Sequence, residues 1–378
     1  MGYKKSFLES MGMIESLKSF FSKKKILITG HTGFIGSWLA IWLNELGAEI
    51  TGYALKPNTN IDNYVVTNIE NKITSVIADI RNFEKLDETV KMFQPEIIYH
   101  LAAQPIVRKS YLEPKITYDI NIGGTINVLE AFRKNIKKGL LINFTSDKCY
   151  QNKEWIWGYR EKDRLGGDDP YSASKACSEI VTNAYIKSFF QTKINDNQIG
   201  MATVRCGNII GGGDWQEDRL VPDCFRSIKN NKNLVLRNPH SIRPWQYVLE
   251  PILGILILAK CLFENSNKFS GSWNFGPSNT LNFTTLDLVK KIFNYFGKGN
   301  YEYSPNEALN FFNETKTLLL DCNKARKYLG WIPILNMDEI IEFTCNWYKE
   351  TNINYDYDVQ QIKQYINKIN FLNINHIL

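Results

Sequence analysis

The chain predicts an α/β fold, a doubly wound parallel sheet with a smaller C-terminal α/β substrate domain. Three observations lead there. Apolar, strand-length runs alternate with amphipathic helical stretches from Lys25 onward, which makes right-handed crossovers onto a parallel sheet the economical topology. The first run, Lys25 to Thr29, enters a helix through the glycine turn Gly30-His31-Thr32-Gly33-Phe34-Ile35-Gly36. The run LLINFTSDKCY, ending at Tyr150, is apolar until its C-terminal end turns polar, and that edge is where open parallel sheets place ligands.

In order along the chain, residues 1 to 22 carry Leu8, Met11, Ile14, Leu17 and Phe20 at helical intervals and predict a short, loosely docked amphipathic extension. The helix after the glycine turn has Leu39, Trp42, Leu43 and Leu46 on one side. Strands follow at Glu49 to Ala54 and Ile73 to Ala78, then a helix from Phe83 to Phe93. The strand from Glu96 opens into the small residues of HLAAQ. Lys115 to Lys134 predicts one long helix, with Ile116, Ile120, Ile126, Leu129 and Phe132 on its apolar face. The TSDK strand, a helix at Tyr171 and a sixth strand, Gly200 to Arg205, complete a first domain over 23–205. Residues 206–350 predict the substrate domain, with 247–265 returning to pack on the first, and 351–378 a peripheral helix.

Composition narrows the function. At 44% hydrophobic and 13% aromatic residues, 378 residues suffice for a buried core. A net charge of +6 without an Arg/Lys stripe argues against a nucleic-acid partner. Seven cysteines without a CxxC pair point to reduced thiols in the cytoplasm, and four isolated histidines to no metal centre. No apolar run is long enough to span a bilayer, so no membrane association is expected.

The chemistry concentrates in Ser146-Asp147-Lys148 and in Tyr171-x-x-x-Lys175. Together they offer a hydroxyl, a carboxylate, amines and a phenol at one sheet edge, enough for acid–base work on a small substrate. An Asp–Lys pair taken alone is ordinarily a solvated ion pair; its place at a strand's C-terminal end assigns it to the site. The glycine turn places backbone N–H groups and a helix N-terminus where a pyrophosphate binds, and a tight turn that binds nothing is the alternative. The second strand ends Tyr53-Ala54-Leu55-Lys56 without the acidic residue that usually holds the adenosine ribose, so NAD and NADP stay open there. Asp79 could reach the adenine. Arg219 and Arg243 offer themselves to a diphosphate, or to structural ion pairs.

The runs GHTGFIGSW, AAQPIVRKSY, TSDKCYQNKEWIWGYRE, GNIIGGGDW, DRLVPD and RNPHSIRPWQYVLEP, spread from Lys23 to Lys349, resemble the extended short-chain dehydrogenase/reductases of nucleotide-sugar metabolism, and within them the CDP-glucose 4,6-dehydratases. The resemblance implies a Rossmann-type fold, a tightly held NAD that is regenerated each cycle, CDP-glucose as substrate, and a homodimer or homotetramer built on the helices at 115–134 and 171–189. It assigns the cofactor to Gly30, Thr32, Gly33, Phe34, Ile35, Gly36, Asp79, Ile80, Leu101, Ala102, Ala103, Gln104, Thr145, Tyr171 and Lys175. It assigns the substrate to Gln104, Ser146, Asn208, Arg219 and Arg243. Tyr171, its pKa lowered by Lys175 and by the positive nicotinamide, would take the O4 proton; Asp147 would protonate the leaving C6 hydroxyl. Lys148 stands where related dTDP-glucose dehydratases have a glutamate, and would take the C5 proton if neutral. Ile35 replaces a lysine usual in GFKGSW, and Asn313-Glu314-Thr315 lacks an expected histidine. Another nucleotide-sugar dehydratase, an epimerase, or an inactive dinucleotide sensor are the competing readings. Epimerases need no acid–base pair beside Ser146, and a sensor needs neither Tyr171 nor Lys175.

Overall fold

A computed structural model describes residues 6–277, 283–303 and 316–375, with side chains described for 12–277, 283–303 and 316–370. Six strands follow in chain order: β1 Lys25–Thr29, β2 Glu49–Ala54, β3 Thr74–Ile77, β4 Ile97–His100, β5 Gly139–Phe144 and β6 Ile199–Cys206. With the strand Gly271–Phe275 they form a seven-stranded sheet, ordered β3-β2-β1-β4-β5-β6 and then Gly271–Phe275, every pair parallel. Both faces are covered. Ile26 and Ile28 of β1 join one core with Trp38, Trp42 and Leu249, whereas Leu27 joins the opposite core with Val128 and Leu129, as period-2 alternation requires of a strand buried twice.

Chain order reverses between β1 and β4, so a crevice opens at their C-terminal ends. Register aligns that edge. Thr29 lies opposite His100, His100 opposite Asn143 and Phe144 opposite Val204, which puts Gly30, Leu101 and Thr145 at neighbouring strand exits. The expected fold class and the first six strands are present; the fourth and fifth end earlier than read, at His100 and Phe144, so that HLAAQ and TSDK lie largely beyond the strand ends.

Four expectations change. The long helix from Lys115 is interrupted by a π-helical turn, Asp119–Gly123, between Pro114–Tyr118 and Gly124–Asn135. The Asn121 side chain in that turn binds Gln104 at both backbone N and O and donates to Ser174, so tertiary hydrogen bonds account for the irregularity. The helix Ser6–Phe21 is docked rather than loose, for Leu17 and Phe21 are fully buried. The helix Tyr355–Asn375 is likewise integral: Tyr365 is fully buried, packs edge-on against Trp42 and donates to Glu250 at 2.9 Å. Finally, the strand Gly271–Phe275 joins the sheet beside β6 although it comes after residue 206, next to the buried helix Leu249–Glu264 of the segment read as returning to the first domain. Apolar surface on the β6 side requires cover, and the later chain supplies it.

Candidate active site

The helix Pro170–Tyr185 starts where the sequence says it should, with Asp169 accepting from the Ser172 N–H at 2.9 Å and Pro170 in the first turn. Tyr171 and Lys175, one helical turn apart, share a face and are both buried. The exit of β5 meets them. Ser146 caps the short turn Asp147–Cys149, accepting from the Lys148 N–H at 3.2 Å. A cavity of about 580 Å³ lies between this edge and the small domain, and Ser146, Asp147, Lys148, Tyr171 and Lys175 all line it.

Asp147 is buried, its Oδ1 accepts from the Ser146 hydroxyl at 3.0 Å, and its Oδ2 has no hydrogen-bond partner among the described residues. Burial raises its pKa, against the pull of Lys148, the Ser146 hydroxyl and Arg243. Burial of a carboxyl disfavours its charged form. Burial pushes the Tyr171 pKa up to about 12, offset in part by the Ser146 hydroxyl and Arg219. Burial in turn lowers Lys175 to about 8, and its ammonium donates to the Phe144 carbonyl at 3.3 Å. Lys148 is half-buried on the cavity wall.

The dinucleotide expectation can be tested on the glycine turn. Gly30 has φ +80°, and a side chain there would meet the Ala102 backbone at 2.8 Å. A side chain on Gly36 would meet the Gly30 carbonyl at 2.1 Å, so strand and helix approach as only glycine permits. The helix Phe34–Glu45 begins at Gly33 with no side-chain cap and no acidic residue in its first turn, which suits an anion. Ile35, Leu101 and Ala103 line the same cavity. These residues fit a dinucleotide lying along the β1–β4 crevice.

Other expected site residues are engaged elsewhere. The Gln104 side chain donates to Ile106 O and Thr117 and accepts from the Ile106 N–H, all at 3.0 Å or less; it braces a loop and does not line the cavity. The Asp79 carboxylate is taken by Arg81 through backbone N–H and guanidinium. Ile80 packs under Gly124. The Thr32 hydroxyl donates to Leu55 O, and that of Thr145 to Glu179. Asn208, Arg219 and Arg243 do line the cavity, Arg219 paired with Asp214 at 2.8 Å and Arg243 buried with its Nη1 on Ile242 O and Lys316 O. Asn313-Glu314-Thr315 lie outside the described residues.

Two cavity arginines, Arg108 and Arg237, received no role from the sequence; both reach Asp218 at 3.3 Å. Arg205 and Glu179 also went unassigned. A charged residue inside the fully buried strand β6, and a carboxylate one turn beyond Lys175, were the readable signals. Among the described residues no group of three or more His, Cys, Asp or Glu could hold a metal, and no helix is long and apolar enough to cross a membrane.

Comparison with known proteins sets this geometry in a family. Residues 27–344 match the family described as GDP-mannose 4,6 dehydratase. The chain is 45% identical over 335 residues to the CDP-glucose 4,6-dehydratase of Salmonella typhimurium, covering 88% of this chain and 92% of that one. It is 24% identical over 351 residues to the dTDP-glucose 4,6-dehydratase of the same organism, covering 86% and 92%. Among solved structures, the epimerase Mth375 of Methanothermobacter thermautotrophicus superposes with a TM-score of 0.76 at 20% identity, covering 92% of this chain and 98% of that one. DesIV, a dTDP-glucose 4,6-dehydratase from Streptomyces venezuelae crystallised with NAD, gives 0.73 at 21%, covering 86% and 97%. The structural matches establish the fold.

Proposed function

The chain belongs to the GDP-mannose 4,6 dehydratase family, and from that premise we propose that it is an NAD-dependent lyase converting CDP-D-glucose to CDP-4-dehydro-6-deoxy-D-glucose and water. The observation that carries the reading is Asp147: a buried carboxyl, raised in pKa, beside Ser146 and Tyr171, with one oxygen unpartnered among the described residues. Elimination of a hydroxyl needs an acid at that place, and epimerisation does not. The 45% identity to the Salmonella enzyme supports cytidine as the base.

NAD, when bound, would supply reversible hydride acceptance for oxidation at the glucose C4 and reduction at C6. The chain's residues do the proton work. Tyr171 accepts the O4 proton, with the Ser146 hydroxyl positioning that oxygen. A phenol at about 12 is a poor base at neutral pH, so its activation depends on the charges around it, Arg219 among them. The 4-ketone acidifies the C5 proton, Lys148 removes it, and Asp147 protonates the departing C6 hydroxyl. Gly30, Gly33 and Gly36 with Leu101 and Ala103 hold the cofactor, Lys175 its nicotinamide ribose, and Arg219, Arg243 and Asn208 the substrate diphosphate. In this scheme 23–205 forms the cofactor half and 206–350 most of the substrate half.

The assembly proposed is a homodimer or homotetramer through the helices after Pro114 and Pro170, which expose Ile116, Ile180 and Phe189; a monomer at micromolar concentration by light scattering would overturn it. A reducing cytoplasm suits seven cysteines that are all free. The deciding experiment offers CDP-, dTDP-, GDP- and UDP-glucose in parallel and follows 4-keto sugar formation. CDP-glucose should be turned over preferentially. Preference for another nucleotide would refute the base assignment, and epimer formation the dehydratase reading.

A further inference from the structure

Next to the catalytic turn, and outside the cavity lining, lies a buried ion pair. Glu179 and Arg205 meet at 2.7 Å with side chains 2% and 3% exposed. Burial works against both charges, yet the Glu179 pKa is lowered and that of Arg205 raised, because each is held by the other. Glu179 also accepts from the hydroxyls of Thr145, Thr203 and Ser272. Arg205 donates to the Tyr150 hydroxyl at 2.8 Å and Glu161 O at 3.0 Å, and its guanidinium stacks on the Tyr150 ring. The pair therefore grips both ends of the segment Thr145–Tyr150, within which Ser146, Asp147 and Lys148 lie.

Glu179 is also one turn beyond Lys175 on the same helix, as Lys175 is one turn beyond Tyr171. Three elements present titratable groups to Lys175: Cys149 from the turn after β5, His100 from β4, and Glu179 with Tyr171 from its own helix. Burial keeps the Cys149 thiol well above its ordinary range and His100 near 3, so both are neutral at pH 7. Tyr171 is neutral as well. Of these groups Glu179 alone carries charge.

We infer that Glu179, held by Arg205, is a positioning residue of this active site: it fixes the Thr145–Tyr150 turn and supplies the counter-charge for the Lys175 ammonium. The pair then has two separable effects, one geometric and one electrostatic. Removing the carboxylate lowers the pH at which Lys175 loses its proton. Removing the guanidinium leaves the carboxylate uncompensated and raises it. A purely structural pair would have no reason to move Lys175 in opposite directions.

The test titrates the lysine ¹³Cε resonances of the full chain by NMR, with Lys175 assigned by its loss in K175M. The Lys175 midpoint should fall by about one pH unit or more in E179Q and rise in R205M. An unmoved midpoint in both, or movement in one direction in both, would overturn the inference. Should E179Q fail to fold, E179D withdraws the charge by one methylene and should lower the midpoint by less; an unchanged midpoint there counts equally against it. A kinetic arm rests on the dehydratase reading: kcat should fall about 10-fold or more in E179Q with KM little changed, E179D restoring part of it. The titration needs no turnover, so failure of that reading stays distinguishable from failure of this one.

Discussion

The Ser146 hydroxyl donates to Oδ1 of Asp147 at 3.0 Å and leaves Oδ2, in a buried site, without a partner among the described residues. One short contact thus orients two expected site residues. It holds the serine oxygen at the exit of β5, where both residues line the cavity. Burial raises the pKa of the Asp147 carboxyl, the direction that suits an acid for a leaving hydroxyl.

Asp147→Asn should keep the fold and the nucleotide-sugar affinity while lowering kcat by ~100-fold or more, because the amide fills the same space without a transferable proton. Steady-state kinetics of 4-keto sugar formation would check this. Turnover within a few-fold of wild type would remove Asp147 from the acid role.

Lys148→Met should abolish exchange of the C5 proton with deuterated solvent while Tyr171 and Lys175 remain in place. Mass spectrometry of recovered substrate and product reads the exchange. Full turnover in this variant would assign the base elsewhere.

Arg243→Met should raise KM for CDP-glucose by roughly 10- to 100-fold, the order expected for losing a charge-assisted contact to a diphosphate. Arg243 is also buried on backbone carbonyls, so a melting curve must accompany the kinetics. A KM unchanged in a folded variant would contradict the diphosphate assignment.

Activity should decline as pH rises past about 8 in the kcat/KM profile, which follows the free protein. Burial lowers Lys175 to about 8, and above that its charge is lost. A kcat/KM flat to pH 9 would mean that the Lys175 charge is not required.

Glu250 should make the fold less stable as pH rises from about 4.5 to about 7. It is buried, accepts the Ile334 and Leu335 N–H groups and the Tyr365 hydroxyl, and burial raises its pKa to about 7. The folded state thus binds a proton that the unfolded chain has released over that window, so stability present below it is lost through pH 7. The upper bound is about 3 kcal/mol. In Glu250→Gln the dependence of the denaturation midpoint over this window should flatten. An equally steep dependence would place its origin elsewhere.

Local chemistry made much of this molecule legible. Strand runs, the glycine turn and Asp169-Pro170 before Tyr171 each carry a short-range signal, and each forms as read. The period of four linking Tyr171 to Lys175 already put both on one helical face. The terminal helices were misjudged because docking depends on apolar surface elsewhere: Phe21 and Tyr365 are buried by partners distant in sequence. Gln104 and Asp79 stand where a cofactor could meet them, yet their side chains are taken by Ile106, Thr117 and Arg81. Arg205 in an apolar strand announced a buried partner without naming it, since its carboxylate comes from a helix 26 residues away.

By itself the sequence determined the order of elements and the residue types that carry chemistry, because helices, strands and turns answer to neighbours within a few residues. Only the tertiary structure decided which of those groups share a cavity and what charge state each favours. Burial and cross-chain hydrogen bonds set both, as the raised Asp147 and the lowered Lys175 demonstrate, and neither has a local signature.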